Sequence, residues 1–213
     1  MTNRDRLFRM SVMKYTIFFF FLITALSPKS FAGAKTIVAL GDSVTAGYGV
    51  AKVDAYPALL EKKLQKRFPG AKVINAGISG ATTASAPSNL KWQFRRPFDV
   101  LILCLGGNDG LRGLKVKDSE ANLAKAIEMA QAQKVKVLLV GMRMPKNYGE
   151  KYRTDFEAIY PRLAKKYKVP FLPFLLKGVG RVKDLNLPDG LHPNEKGYAK
   201  VVENVFPKIL ELL

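Results

Sequence analysis

From residue 36 onward, short apolar runs alternate with longer stretches whose apolar positions recur every three to four residues. The runs 36–40, 72–76, 99–105, 135–140 and 170–175 have strand length and little polar interruption. The last of them contains Pro170 and Pro173, which weakens it as a strand. Between them, residues 56–68 place Leu59, Leu60, Leu64 and Phe68 at helical spacing, and Pro69-Gly70 ends that helix. Residues 119–133 carry Leu123, Ala126, Ile127 and Ala130 on one face. A long helix is predicted over 152–167, restarting at Pro161, and a closing helix over 194–213.

Strands that alternate with helices imply βαβ units, a parallel sheet and right-handed crossovers. The strands are apolar on both faces, as a sheet covered by helices on both sides requires. In such α/β sheets ligands bind beyond the carboxyl ends of the strands. Internal repeats, low-complexity segments and linkers are missing from the sequence, so residues 33–213 are expected to form one domain.

The first residues follow a different pattern. Arg4, Arg6, Arg9 and Lys14 precede an apolar run over 15–26, and Phe31-Ala32-Gly33-Ala34 follows a short polar stretch. A basic segment, a short apolar segment and small residues at a cleavage point describe a secretory signal peptide. The run is short for a permanent bilayer anchor. Cleavage is expected after Ala32, with export to the periplasm or beyond.

Charge adds to this picture. The whole chain carries +18, and residues 1–32 hold five basic residues and one acid, which leaves +14 on 33–213. Such a surplus favours anionic partners, among them the lipid surface of a membrane. The basic residues are scattered singly rather than interleaved with aromatics along one element, so a solvated basic surface is expected and no nucleic acid. With one cysteine, Cys104, the chain cannot form an internal disulfide. One cysteine and one histidine also cannot supply the usual metal-ligand sets, so no metal is expected.

Four polar clusters fall just past predicted strands or before the last helix. They are Gly41-Asp42-Ser43, Gly77-Ile78-Ser79-Gly80, Gly106-Gly107-Asn108-Asp109-Gly110 and Asp189-Gly190-Leu191-His192-Pro193-Asn194. A serine hydroxyl is a weak nucleophile until a base accepts its proton. His192 is the one histidine, so it is the one imidazole base available to Ser43. Asp189, three residues earlier, can orient that base and stabilise its charged form. Backbone N–H groups of Ser43 and Gly80 and the Asn108 amide could bind a developing oxyanion. Each residue also has a structural reading. Ser43 could cap a helix, Asn108 could occupy a left-handed turn, Gly77 and Gly80 could punctuate a loop, and Asp189 could cap the last helix. Their joint placement past successive strands favours catalysis.

These blocks resemble those of the SGNH (GDSL-like) hydrolases, and more narrowly the bacterial multifunctional acyl-CoA thioesterase, lysophospholipase and arylesterase group. The similarity extends through 105–113, 145–149, 156–164, 169–174 and 189–194. It implies a three-layer αβα sandwich around a five-stranded parallel sheet, doubly wound in the flavodoxin manner. It implies Ser43 as nucleophile, His192 as base, Asp189 as its partner and Ser43, Gly80 and Asn108 as oxyanion donors, with no cofactor. The substrate would be a small acyl ester or thioester, or a lysophospholipid. The segment 110–115 would close over a bound acyl chain. Leu111, Met142, Met144 and Tyr148 are the candidate acyl contacts. Two positions depart from the group: Ala81 where an acidic residue is frequent, and Met144 where leucine is. The competing readings are a carbohydrate O-deacetylase and a non-catalytic binder of lipid or acidic polymer. A dinucleotide-binding domain is excluded, because the first turn lacks G-x-G-x-x-G.

Overall fold

The computed structural model describes residues 34–213. The expected signal peptide and its cleavage point lie outside the described residues. Five strands form one parallel sheet: β1 (Thr36–Gly41), β2 (Lys72–Gly77), β3 (Val100–Cys104), β4 (Lys136–Val140) and β5 (Phe171–Leu172). Their order across the sheet is β2-β1-β3-β4-β5. The register aligns Gly41 with both Gly77 and Cys104.

Among the described residues, eight α-helices flank or follow the strands. They are α1 (Ser43–Ala46), α2 (Tyr56–Gln65), α3 (Ala86–Gln93), α4 (Gly107–Leu111), α5 (Val116–Ala132), α6 (Glu150–Glu157), α7 (Ile159–Tyr167) and α8 (Glu195–Leu210). Alternation along each strand splits the core into two layers, because successive side chains point to opposite faces. Val38, Leu40, Leu101 and Leu103 pack with Leu90 of α3, Leu123 and Ile127 of α5, Phe156 of α6 and Tyr160 of α7. Ile37, Ala39, Val100 and Ile102 pack with Tyr56 and Leu60 of α2 and Val201 and Val205 of α8. This is the expected three-layer αβα sandwich, doubly wound.

Three elements depart from the sequence reading. The helix expected over 152–167 is two helices, broken at Ala158 rather than at Pro161. Pro161 has no N–H for the carbonyl four residues back, and its ring collides with that carbonyl, which belongs to Glu157. Helix α5 begins at Val116, three residues earlier than expected, with no side-chain cap at Lys115. The fifth strand spans two residues, held through the carbonyls of Pro170 and Leu172, which accept from Leu139 and Gly141.

Strand order reverses direction between β1 and β3: the chain runs from β1 outward to β2, then back across to β3 and beyond. Loops leaving β1 and β3 therefore diverge and open a crevice at their carboxyl ends. Ser43 follows β1 and Asn108 follows β3, so the crevice lies between them.

Candidate active site

β1 delivers the chain into a single-turn helix. The Asp42 carboxylate accepts from Val44 N at 3.0 Å and is the cap of α1. The capping reading of Ser43 thus belongs to its neighbour. Burial pushes the Asp42 carboxyl up to about 6, against the opposing pull of the Val44 N–H and the nearby His192. Ser43 Oγ lies 2.8 Å from His192 Nε2, across 149 residues of sequence.

His192 sits on a loop closed by an antiparallel bridge between Asn186 and Pro193. Leu187 N donates to His192 O at 2.8 Å, and Asn194 N to Leu185 O at 3.0 Å. Within the loop, Asp189 Oδ1 accepts from Leu191 N at 2.8 Å and from His192 N at 3.0 Å. Its Oδ2 is 2.6 Å from His192 Nδ1. The backbone N–H of His192 is the largest influence on Asp189, and with the imidazole and the Leu191 N–H it lowers the carboxyl to about 2. An ionised carboxylate accepts only, so the proton of neutral His192 resides on Nδ1 and the Nε2 lone pair faces the serine. Asp189 does not cap the last helix. Asn194 does, accepting from Gly197 N at 3.0 Å. The Tyr48 ring lies 4.5 Å from the imidazole, centroid to centroid, and covers one face of it.

The loop after β2 supplies Gly80. Gly77, at the end of β2, is a close-approach position: a Cβ there would come within 2.2 Å of Ala46 N. That contact lets α1 pack against β2. Gly80 itself has φ +78, a conformation that glycine adopts readily and other residues rarely. Its carbonyl accepts from Arg112 Nη2 at 3.1 Å.

Asn108 lies inside α4 with helical backbone, so the left-handed-turn reading does not hold. Its Nδ2 donates to Ala81 O at 3.0 Å. That bond uses one of two amide hydrogens and fixes the plane of the other. The next residue, Asp109, is buried and joins the two loops. It accepts from Thr83 N at 2.9 Å, Thr83 Oγ1 at 2.5 Å and Ser119 Oγ at 3.1 Å. The sequence reading gave Asp109 no role; an acid between Asn108 and Gly110 in an apolar setting was the signal.

Ser43, Asn108 and His192 border a cleft of about 450 Å³. Leu111, Met144, Pro145, Phe174, Leu176 and Leu191 supply apolar wall. Two of the four candidate acyl contacts, Met142 and Tyr148, are not in that wall. Met142 packs between the two core layers, and the Tyr148 hydroxyl donates to Leu111 O at 3.0 Å. With Tyr152, whose hydroxyl donates to Leu114 O at 2.8 Å, Tyr148 ties down the segment 110–115. The sequence reading missed three cations in the cleft wall: Arg143, Lys146 and Arg181.

A doubly wound sheet whose switch point joins serine, imidazole and carboxylate in one hydrogen-bonded chain is the architecture of an α/β serine hydrolase. Residues 39–200 match the GDSL-like Lipase/Acylhydrolase family, and the chain belongs to it. Esterase TesA of Pseudomonas aeruginosa is 37% identical over 183 residues, which span 85% of this chain and 91% of that protein. Thioesterase 1/protease 1/lysophospholipase L1 of Escherichia coli strain K12 is 41% identical over 178 residues, 82% of this chain and 83% of that protein. The crystal structure of AlinE4, an SGNH-hydrolase family esterase, superposes with a TM-score of 0.71 at 39% identity, covering 85% of this chain and 98% of that one. The chain is an enzyme of the esterase and thioesterase kind, acting on small-molecule esters.

Proposed function

We propose that Ser43 is the nucleophile of a carboxylic ester or thioester hydrolase that works through an acyl-enzyme. The hydrogen-bonded chain from Ser43 Oγ through His192 to Asp189 carries this reading. Ser43 Oγ attacks the substrate carbonyl carbon while His192 Nε2 takes its proton, and the carbonyl oxygen becomes an oxyanion. The N–H groups of Ser43 and Gly80 and the free amide hydrogen of Asn108 stabilise that charge. The tetrahedral species collapses, the bond to the alcohol or thiol breaks, and His192 returns the proton to the leaving group. Water then repeats the sequence on the acyl-serine, giving the free acid and restoring the serine.

The apolar wall of Leu111, Met144, Phe174 and Leu191 favours a fatty acyl chain over an acetylated sugar. Acyl esters, acyl thioesters and lysophospholipids are thus the proposed substrates. Export through residues 1–32 would bring the enzyme to lipid outside the cytoplasm. Its positive surplus would draw it to anionic bilayers, an attraction that salt screens over roughly 10 Å at 0.1 M. Equal sedimentation with neutral and anionic vesicles would rule that contact out.

Ser43→Ala tests the nucleophile. The variant is expected to fold, to lose ester turnover and to lose covalent labelling by a fluorophosphonate. Full turnover in a folded Ser43→Ala protein overturns the proposal, and absence of labelling in the wild type turns it toward a non-catalytic binder.

A further inference from the structure

Arg143, Lys146 and Arg181 come from two loops distant in sequence, yet they line the same cleft as Ser43 and His192. Among the described residues none of the three has a carboxylate within 4.0 Å, whereas Lys35, Lys151, Arg162, Lys200 and Lys208 each do. The one acid in the cleft wall, Asp42, is buried and spends an oxygen on capping α1. The cleft thus combines an apolar wall with unneutralised positive charge. Two of the three cations have a distinct local setting. The Arg143 guanidinium lies 5.6 Å from the Phe174 ring centroid, which holds it against the apolar wall. Arg181 has φ +64, a backbone conformation that long side chains rarely adopt and that glycine adopts freely.

We propose that Arg143, Lys146 and Arg181 form a subsite for the phosphate of a net-anionic acyl substrate, so that the enzyme selects a phosphate-bearing leaving group over a neutral or zwitterionic one. The subsite rests on the reading of Ser43 as nucleophile, since it shares that cleft. Guanidinium groups match phosphate oxygens with paired hydrogen bonds, and lysine adds a point charge. A phosphate ester occurs a few bonds from the scissile carbonyl in an anionic monoacyl phospholipid, and at the far end of the thiol arm in an acyl thioester of a phosphorylated thiol. A zwitterionic headgroup presents its own ammonium to the same cations and gains less.

The test compares kcat/KM of the full-length protein on four substrates of one acyl length, each below its critical micelle concentration: lysophosphatidylglycerol, lysophosphatidylcholine, monoacylglycerol and acyl-CoA. Variants are Lys146→Gln, Arg181→Gly and Arg181→Lys. Wild type is expected to prefer one or both phosphate-bearing anionic substrates. In Lys146→Gln and Arg181→Gly, the ratio of kcat/KM for that substrate to kcat/KM for monoacylglycerol is expected to fall about tenfold, the size of one charge-assisted contact. Arg181→Lys should recover much of the ratio. Arg181→Gly should melt no lower than wild type, because glycine relieves the left-handed backbone. A ratio that falls for lysophosphatidylglycerol assigns the subsite to a lipid phosphate; one that falls for acyl-CoA assigns it to the thiol side. An unchanged ratio, or equal losses on monoacylglycerol, overturns the subsite. Failure of the nucleophile reading is seen separately, as monoacylglycerol hydrolysis that survives Ser43→Ala.

Discussion

Single side chains divide the labour at this site, and two of them give measurable expectations. Asn108 holds Ala81 O with one amide hydrogen and, under the proposed mechanism, gives the other to the oxyanion. Asn108→Ala keeps the helical backbone of α4 and removes both. The loss of one oxyanion donor typically costs about 10²–10³ in kcat. KM should change little, since the charge develops after binding. The lost bond to Ala81 should cost about 1 kcal/mol of stability, a small drop in Tm. A variant that loses Tm but keeps its kcat would reduce Asn108 to a loop tie. Asp42 predicts a pH dependence of stability. Its carboxyl is raised from the ordinary 3.8 to about 6 by burial, so the folded chain holds a proton that the unfolded chain releases. Between those values the fold binds more protons, and stability falls as pH rises through about 6. The difference is on the order of 3 kcal/mol. Asparagine can still accept from Val44 N but never ionises. Asp42→Asn should therefore match wild type near pH 4 and exceed it by up to that amount at pH 8, read by denaturant unfolding at each pH. Equal stability at both pH values would show that Asp42 ionises without cost.

Elements were legible to the extent that their signals were local. β1, β3 and β4 appear as runs apolar on both faces, because a strand covered by two layers has no polar side to show, while the edge strand β2 keeps Val73 and Ile74 but exposes Lys72 and Asn75. The start of α5 was hidden because no capping residue marks Lys115, while Ser119 looks like a cap and instead donates to Asp109. α3 escaped notice because its eight residues, with Pro87 in the first turn, show little apolar periodicity. The break at Ala158 required knowing that a proline acts on the carbonyl behind it rather than at its own position. The candidate triad was legible for a different reason: with one histidine in the chain, there was one candidate for the base. Arg143, Lys146 and Arg181 were not legible, because no spacing relates two loops that only the folded chain brings to one cleft. Met142 was misplaced on similar grounds, since a methionine just past a strand reads alike whether it faces a cleft or the core.

At the scale of the whole molecule, the sheet order does most of the positioning. Reversal between β1 and β3 opens the crevice, and glycines at 41 and 77 let the single-turn helix α1 pack beside it. The partner of Ser43, however, comes from the far end of the chain. His192 is 149 residues away, on a loop fastened to α8 by Asn194, and α8 is seated only when Tyr198, Val201 and Val205 pack beside α2. Under the proposed mechanism, a growing or unfolded polypeptide thus carries the serine but no means of activating it. That activation requires the 189–194 loop and α8 to be in place. Under that mechanism the order of the chain serves as a safety catch: the serine stays idle for as long as the segment that carries its base, 149 residues further on, remains undocked.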